Sequence, residues 1–348
     1  MGLVVLDERK AAILKAIVQG YVRDGEPVGS KRLAEDWNLG VSAATIRADM
    51  AALEEAELIA QPHTSAGRVP TDKGYRYFVD SLSETAQLSV EQRAALEGLL
   101  LGSSDLEELL RRTSSVLSRL TRFAAVVAAP RLDRTRLRHI ELVTLGPNSV
   151  LAVMIADTGQ VEKRMLDLGE ALMDHDVQRA RHALNEAAAG LRVTDAPDVI
   201  AGVAAGAPHG VRELLESVAD AVRGGLVSPP GAQIFVGGSA NIADAGYFER
   251  LEQVREVYET LEQQVLVLGL LRAALEAGDP AVRIGEELRP LAELAACSIV
   301  VASYGAGADS VGSLGVLGPT RMDYPRTLAA VQAVASGLEK ALAELTGS

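Results

Sequence analysis

The sequence predicts a multidomain α+β chain: a helical start closed by a short hairpin, then a body whose strands flank a helix-rich middle. Three observations predict it. At 348 residues the chain is longer than one ordinary domain, and 48% apolar residues supply more than one core. Apolar residues recur at the helical period up to about residue 122 and at the strand period just beyond it. Strand-like runs return after residue 280, so strands stand at both ends of the body with helices between them.

Asp7 is placed to cap a first helix, whose apolar positions Ile13, Leu14, Ile17, Val18 and Tyr21 share one stripe, and Asp24-Gly25 ends it. A short second helix opens at Ser30, and the turn NLGV (38–41) follows. A third helix begins at Ser42, with Ile46, Met50 and Leu53 spaced 4 and 3 apart. LIAQP (58–62) reads as a strand, HTSAG (63–67) as a turn and RVP (68–70) as the return strand. Thr71 then caps a helix with the stripe Tyr75, Phe78, Val79 and Leu82.

Residues 83–122 are helical again. Ser104 and Glu107 stand at capping-box spacing, and Leu106, Leu109, Leu110, Thr113, Leu117 and Leu120 form a seam that fits its own domain or another helix. FAAVVAA (123–129), IELVTL (140–145), SVLAVMIA (149–156) and QVEKRMLDL (160–168) are strand-like, the last two joined by the turn signal Asp157-Thr158-Gly159. Helical character fills 172–225 and 244–277, with QIFVGG (233–238) as an isolated strand. VRIG (282–285), CSIVVAS (297–303) and SVGSLGVLG (310–318) are strands, and a last helix runs from Tyr324 to Leu345.

Three helices followed by a hairpin are the parts of a winged helix-turn-helix. At about 100° per residue, Ile46, Met50 and Leu53 of the third helix face the core. Ala44, Ala48 and Ala51 point the other way, flanked by Thr45 and Arg47. A face of small side chains permits close entry into a DNA groove, where alanine methyls meet thymine methyls and Thr45 and Arg47 reach bases or phosphates. Ser42 and the free N–H groups at the helix start suit a phosphate. In the hairpin, Gly67 permits a left-handed turn, while His63, Thr64 and Ser65 offer donors without bulk. Arg68, Lys73 and Arg76 add cations for the DNA backbone, and residues 61–71 contain no acid.

Charge enters as a caution. The formal net charge is −13, and residues 1–80 hold ten basic groups against twelve acidic ones, a net of −2 that leaves −11 to the other 268 residues. Composition alone does not announce DNA binding; the local pattern does.

PVGSK (27–31), TIR within SAATIRADMAALEE (42–55), QPHTSAGRVPTDKGYRYFVD (61–80), FVGGSANIAD (235–244), VRIGEE (282–287) and GPTRMDY (318–324) together resemble the bacterial family of heat-inducible transcription repressors, HrcA. The resemblance spans essentially the whole chain. It implies a winged-helix DNA-binding domain (1–88), a helical linker (89–122), a GAF-like α+β domain (123–170 and 270–348) and a helix-rich dimerising insertion (171–269). It further implies a homodimer on an inverted-repeat operator in double-stranded DNA, with the chaperonin GroEL maintaining the DNA-competent form. Two positions depart from the family pattern: Ala48, where members often carry asparagine, and Glu57, where they often carry glycine as the third helix ends.

Other classes are disfavoured. Cys297 is the only cysteine, which excludes an internal disulfide and a multi-cysteine zinc site, and its apolar run predicts a small buried hydrophobe. No apolar run approaches the ~20 residues of a membrane span, and MGLVVLDERK turns to charge too early for a secretory signal. The chain therefore reads as soluble and cytoplasmic, with no cofactor. YGAGADSVGSLG (304–315) fails the dinucleotide glycine pattern at its last position, and VGGSAN (236–241) carries Asn241 where a nucleophile elbow needs glycine. His63, His139, His175, His182 and His209 form no i, i+4 pair and no metal spacing, so no enzymatic role is expected. Two competitors stay open: a repressor gated by a small molecule in the GAF-like body, and a winged helix used for protein contact.

Overall fold

The computed structural model describes residues 6–63, 66–82, 89–100, 103, 105–129, 136–157, 159, 161–225, 234–243, 248, 251–276, 278–288, 292–305 and 312–346. The N-terminal unit runs α1 (Glu8–Asp24), α2 (Ser30–Asp36), α3 (Ala43–Glu55), β1 (Ile59–Ala60), β2 (Val69–Pro70) and α4 (Asp72–Asp80). Its helix ends follow local chemistry. Asp7, Ser42 and Thr71 each accept a backbone N–H three residues on, and Gly25 closes α1 in the left-handed conformation at φ 74°. β1 and β2 pair antiparallel, and Arg68 and Val28 exchange backbone hydrogen bonds of 2.9 Å each, tying the returning strand to the segment between α1 and α2. Ile13, Leu14, Ile17, Leu33, Ile46, Leu53 and Ile59 fill the centre.

The body continues with α5 (Val90–Leu100), α6 (Leu106–Thr121), β3 (Ala124–Ala128), β4 (Leu137–Gly146), β5 (Ser149–Ala156), β6 (Val161–Asp167), α7 (Asp174–Ala188), α8 (Ala196–Ala205) and α9 (His209–Gly225). It ends with β7 (Ile234–Gly237), α10 (Leu251–Glu262), α11 (Gln264–Leu275), β8 (Ala281–Ile284), β9 (Cys297–Tyr304), β10 (Gly312–Pro319) and α12 (Tyr324–Thr346). Five strands form an antiparallel sheet in the order β7-β3-β10-β9-β8. Alternate residues explain why its runs are apolar throughout: Val127, Val300 and Val316 face α5, α6 and α12, while Val126, Val301 and Leu317 face α10 and α11.

The structure redraws the expected divisions. Residues 123–170 and 270–348 do not all share one sheet: among the described residues β4, β5 and β6 pair with one another and bury one face on α7, α8 and α9. Within 171–269, β7 is not isolated but pairs with β3, and α10 and α11 cover the five-stranded sheet. Strand runs look alike in sequence whichever sheet they join, so periodicity could not assign them. Residues 89–122 are no free linker either. Leu96, Leu100, Leu109 and Leu117 pack in one core with Val331, Val334 and Leu338 of α12, which also settles where the leucine seam goes. α6 is capped by Asp105, whose carboxylate accepts the Glu108 N–H, while Ser104 lies outside the described residues. The hairpin expected at Asp157–Gly159 joins β5 to β6, with Gly159 at φ 82°.

One core runs from the N-terminal unit into the body. Tyr75 and Tyr324 meet at 5.8 Å between ring centroids, and Phe78 belongs to the same cluster as Met322. Arg76 donates to Glu287 through Nε at 2.8 Å and through its terminal nitrogen, which also reaches the Val282 carbonyl at 2.7 Å. The Asp72 carboxylate accepts the Glu286 N–H at 3.0 Å, and burial holds its pKa above the ordinary aspartate value, helped by the nearby Glu286 and Glu287 charges. The buried Cys297 thiol is pushed up to about 12 by desolvation, as an inert core position requires.

Candidate nucleic-acid interface

α3 presents the surface that its sequence describes. Ser42, Ala44, Arg47, Ala48 and Ala51 are exposed, Thr45 is half-buried, and Ile46, Asp49, Met50 and Leu53 are buried. Ser42 Oγ is committed to the helix start: it accepts the Thr45 N–H at 3.2 Å and lies 3.1 Å from Thr45 Oγ. What remains for a ligand at that end is the unpaired N–H groups of the first turn and the positive end of the helix. Arg47 makes no side-chain hydrogen bond or ion pair among the described residues, so its guanidinium stands ready beside a row of methyl groups.

The buried acid on this helix escaped the sequence reading. Asp49 accepts from Arg9 Nε at 2.8 Å and from its terminal nitrogen at 3.1 Å, a two-pronged bridge from α1 to the underside of α3. Its signal was available: Asp49 lies three residues after Ile46, on the stripe that faces the core. The bridge removes an acid from the exposed face and fixes the helix from behind.

The three cations Arg68, Lys73 and Arg76 all have partners within the protein. Arg68 donates to Glu54 at 3.0 Å and is 22% exposed, so it stitches the hairpin to the end of α3 instead of projecting. Lys73 donates to the Ala56 carbonyl at 2.9 Å and pairs with Glu57 at 3.4 Å, satisfying an open carbonyl at the C-terminus of α3. Arg76 is turned into the body. Spacing on a helix face located these side chains but could not reveal partners distant in sequence. His63 is exposed and its carbonyl accepts the Ala66 N–H at 2.9 Å; Thr64 and Ser65 lie outside the described residues. Gly67 is also corrected: its φ is not positive, and glycine is required because an added Cβ would sit 2.5 Å from the Val28 carbonyl carbon and oxygen.

α3 ends in a Schellman turn. Glu57 N–H bonds to Glu54 O and Leu58 N–H to Leu53 O, both at 2.9 Å, and the apolar pair Leu53 and Leu58 is buried beside them. Glu57 holds the left-handed position at φ 61°, where a side chain is strained by about 1–2 kcal/mol. Glu57→Gly relieves that strain, offset in part by the freer unfolded chain, and loses only an exposed ion pair to Lys73. A gain of up to about 1 kcal/mol is expected in denaturant melts. A lower midpoint for Glu57→Gly would contradict this account of the turn.

Among the described residues no three His, Cys, Asp or Glu side chains converge as a metal site, and no helix is long and apolar enough to cross a membrane. The family model of the HrcA protein C-terminal domain matches residues 107–328. Proteins named Heat-inducible transcription repressor HrcA match along the whole chain. The one from Acidothermus cellulolyticus is 48% identical over 98% of this chain and 100% of its own. That of Thermobifida fusca is 48% identical over 97% and 98%, and that of Frankia casuarinae 45% over 99% and 100%. A crystal structure described only as a hypothetical protein shares the fold at a TM-score of 0.68, with 23% identity across 98% of this chain and 100% of that one.

Proposed function

The chain belongs to the HrcA family of heat-inducible transcription repressors, and from that premise we propose that it silences its target genes by binding an inverted-repeat DNA operator as a homodimer. It is a transcription repressor and not an enzyme. In this reading residues 6–82 are a winged helix, α3 enters the major groove, and the hairpin lies along the flanking backbone. The DNA-facing set is Ala44, Thr45, Arg47 and Ala48, with Ser42 orienting the first turn toward a phosphate and His63, Thr64 and Ser65 at the wing. Arg68 and Lys73 act behind it by fixing wing and α4 to α3. The five-stranded sheet and its helices make the GAF-like body, interrupted by the β4–α9 unit. Work in the cytoplasm and maintenance by GroEL complete the reading, both carried over from the family.

A single observation carries it: the exposed strip of α3 has small side chains, one unpaired arginine, and its only acid before Glu54 turned inward onto Arg9. Support for the dimer comes from β4-β5-β6, whose open outer face carries an apolar cross-strand row beside a charged one of Glu141, Val153 and Lys163. Val143, Leu151 and Met165 lie in one cross-strand row, and Val143, Val161 and Met165 are 42%, 45% and 56% exposed. Asn185 seals the β4 edge by bonding both Ile140 backbone groups, so association through the face is favoured over strand addition at that edge.

Anisotropy titration of an inverted-repeat duplex against a scrambled one, with the native chain and Arg47→Ala, is the test. Preference for the repeat is expected, and Arg47→Ala should weaken it by about 1–3 kcal/mol, the range for a side chain that reads a base. Affinity should fall steeply with salt in spite of the acidic body. Equal affinity of the native chain for both duplexes would end the operator reading.

A further inference from the structure

Between the N-terminal unit and the body lies a cleft of ≈ 780 Å³, within the size range of small-ligand sites. We propose that this cleft binds an organic anion with an apolar body, and that its occupant links the position of the head to the body.

Its walls come from both units. Trp37, Phe78 and Val18 belong to the head, Leu120 and Phe123 to the end of α6 and the start of β3, and Met322 to the segment before α12. An apolar body is solvated by these side chains. The rim is cationic: Arg23, Arg122, Arg321 and Arg326 line it against one acid, Asp323, in a chain whose formal net charge is −13. Two of these arginines have structural duties, since Arg23 pairs with Asp24 and Asp36 and Arg321 lies over the Tyr21 ring at 5.7 Å. Arg122 and Arg326 make no side-chain ion pair among the described residues. Asp323 is already engaged at the start of α12, its carboxylate accepting the Arg326 N–H at 3.1 Å, so the one acid of the rim is not directed at the arginine side chains.

Arg122, like Glu57, holds a left-handed backbone. It caps α6 at φ 61°, its N–H bonding to Ser118 O at 2.8 Å, in a conformation that glycine adopts without strain. Strained residues cluster at ligand clamps, and Arg122 lines this cleft. A neutral ligand would leave Arg122 and Arg326 without a counter-charge at the rim, and a bare inorganic anion would leave the apolar walls wet. An amphipathic anion satisfies both.

The chain supplies its own reporter, because Trp37 is the only tryptophan and lines the cleft. Trp37 emission is followed while decanoate is added to the full-length protein, with decanol supplying the body without charge and sulfate the charge without body. A saturable change with decanoate alone is expected, weakened at least about tenfold in Arg122→Gly and in Arg326→Gln, the equivalent of one charge-assisted contact. Arg122→Gly also removes backbone strain, so it should melt at or above the native temperature; weaker binding by a chain no less stable is not a folding defect. Decanol titrating like decanoate, or both variants binding decanoate like the native chain, overturns the proposal. Operator anisotropy on the same samples separates the two readings: decanoate binding without operator binding sinks only the operator, and the reverse sinks only the cleft.

Discussion

Replacing Gly67 by alanine is expected to destabilise the N-terminal unit by about 3 kcal/mol and to weaken operator binding at least about tenfold. The added Cβ would stand 2.5 Å from the Val28 carbonyl carbon and oxygen and 2.8 Å from the Pro27 carbonyl carbon. These are backbone atoms, and no rotamer change moves them aside. Relief has to come from separating the hairpin from the α1–α2 segment, which breaks the two 2.9 Å bonds between Arg68 and Val28 and leaves Arg68 misplaced for Glu54. Two backbone bonds and a part-buried ion pair, at about 1 kcal/mol each, account for the size of the effect. Gly40 is the control: it has φ 66° but open space around it, so Gly40→Ala tests strain without collision and should lose only about 1–2 kcal/mol. Denaturant melts of both variants decide it. A Gly67→Ala midpoint equal to the native one would show that the hairpin is not held by this close approach.

What could be read in advance divides by the range of the interaction. Helix starts at Asp7, Ser42 and Thr71, the end of α1 at Gly25 and the exposed side of α3 depend on neighbours within four residues, and a sequence displays those directly. The roles of Arg68 and Arg76 depend on partners 14 and 211 residues away, and nothing local distinguishes them from cations free to meet a phosphate. Gly67 shows the same limit, since its requirement is set by Val28 across the fold and not by its own backbone angles. Sheet membership failed for a related reason. FAAVVAA and SVLAVMIA are both strongly apolar, but β3 is an interior strand of one sheet and β5 the central strand of another, and only register assigns them. Local rules thus found the candidate groove-reading surface, while the devices that hold it in place stayed hidden.

Arg76 is where the two accounts of the molecule give opposite results. If it met a phosphate, Arg76→Ala would leave the melt unchanged and reduce the salt slope of operator binding by about 1. Placed as the structure has it, Arg76 spans from α4 to Glu287 and the Val282 carbonyl, with its own side chain 28% exposed and that of Glu287 32%. Truncation therefore leaves a partly exposed carboxylate beside Asp72 and Glu286, held by the Ile284 N–H, and a carbonyl without its donor. Loss of one partner from a fully buried pair costs about 3–5 kcal/mol; partial exposure brings the expected loss here to about 2–3 kcal/mol. The salt slope should not move, because no phosphate contact has been removed. A double-mutant cycle with Glu287→Gln should recover a coupling above about 1 kcal/mol, since each change disables the same bridge. Operator binding carries a further signature. In the proposed dimer a head held less firmly would give the two half-sites a less defined separation, so Arg76→Ala should discriminate less between repeats with correct and altered spacers. An unchanged melt together with a shallower salt slope would return Arg76 to the DNA and remove the clamp from this account of the fold.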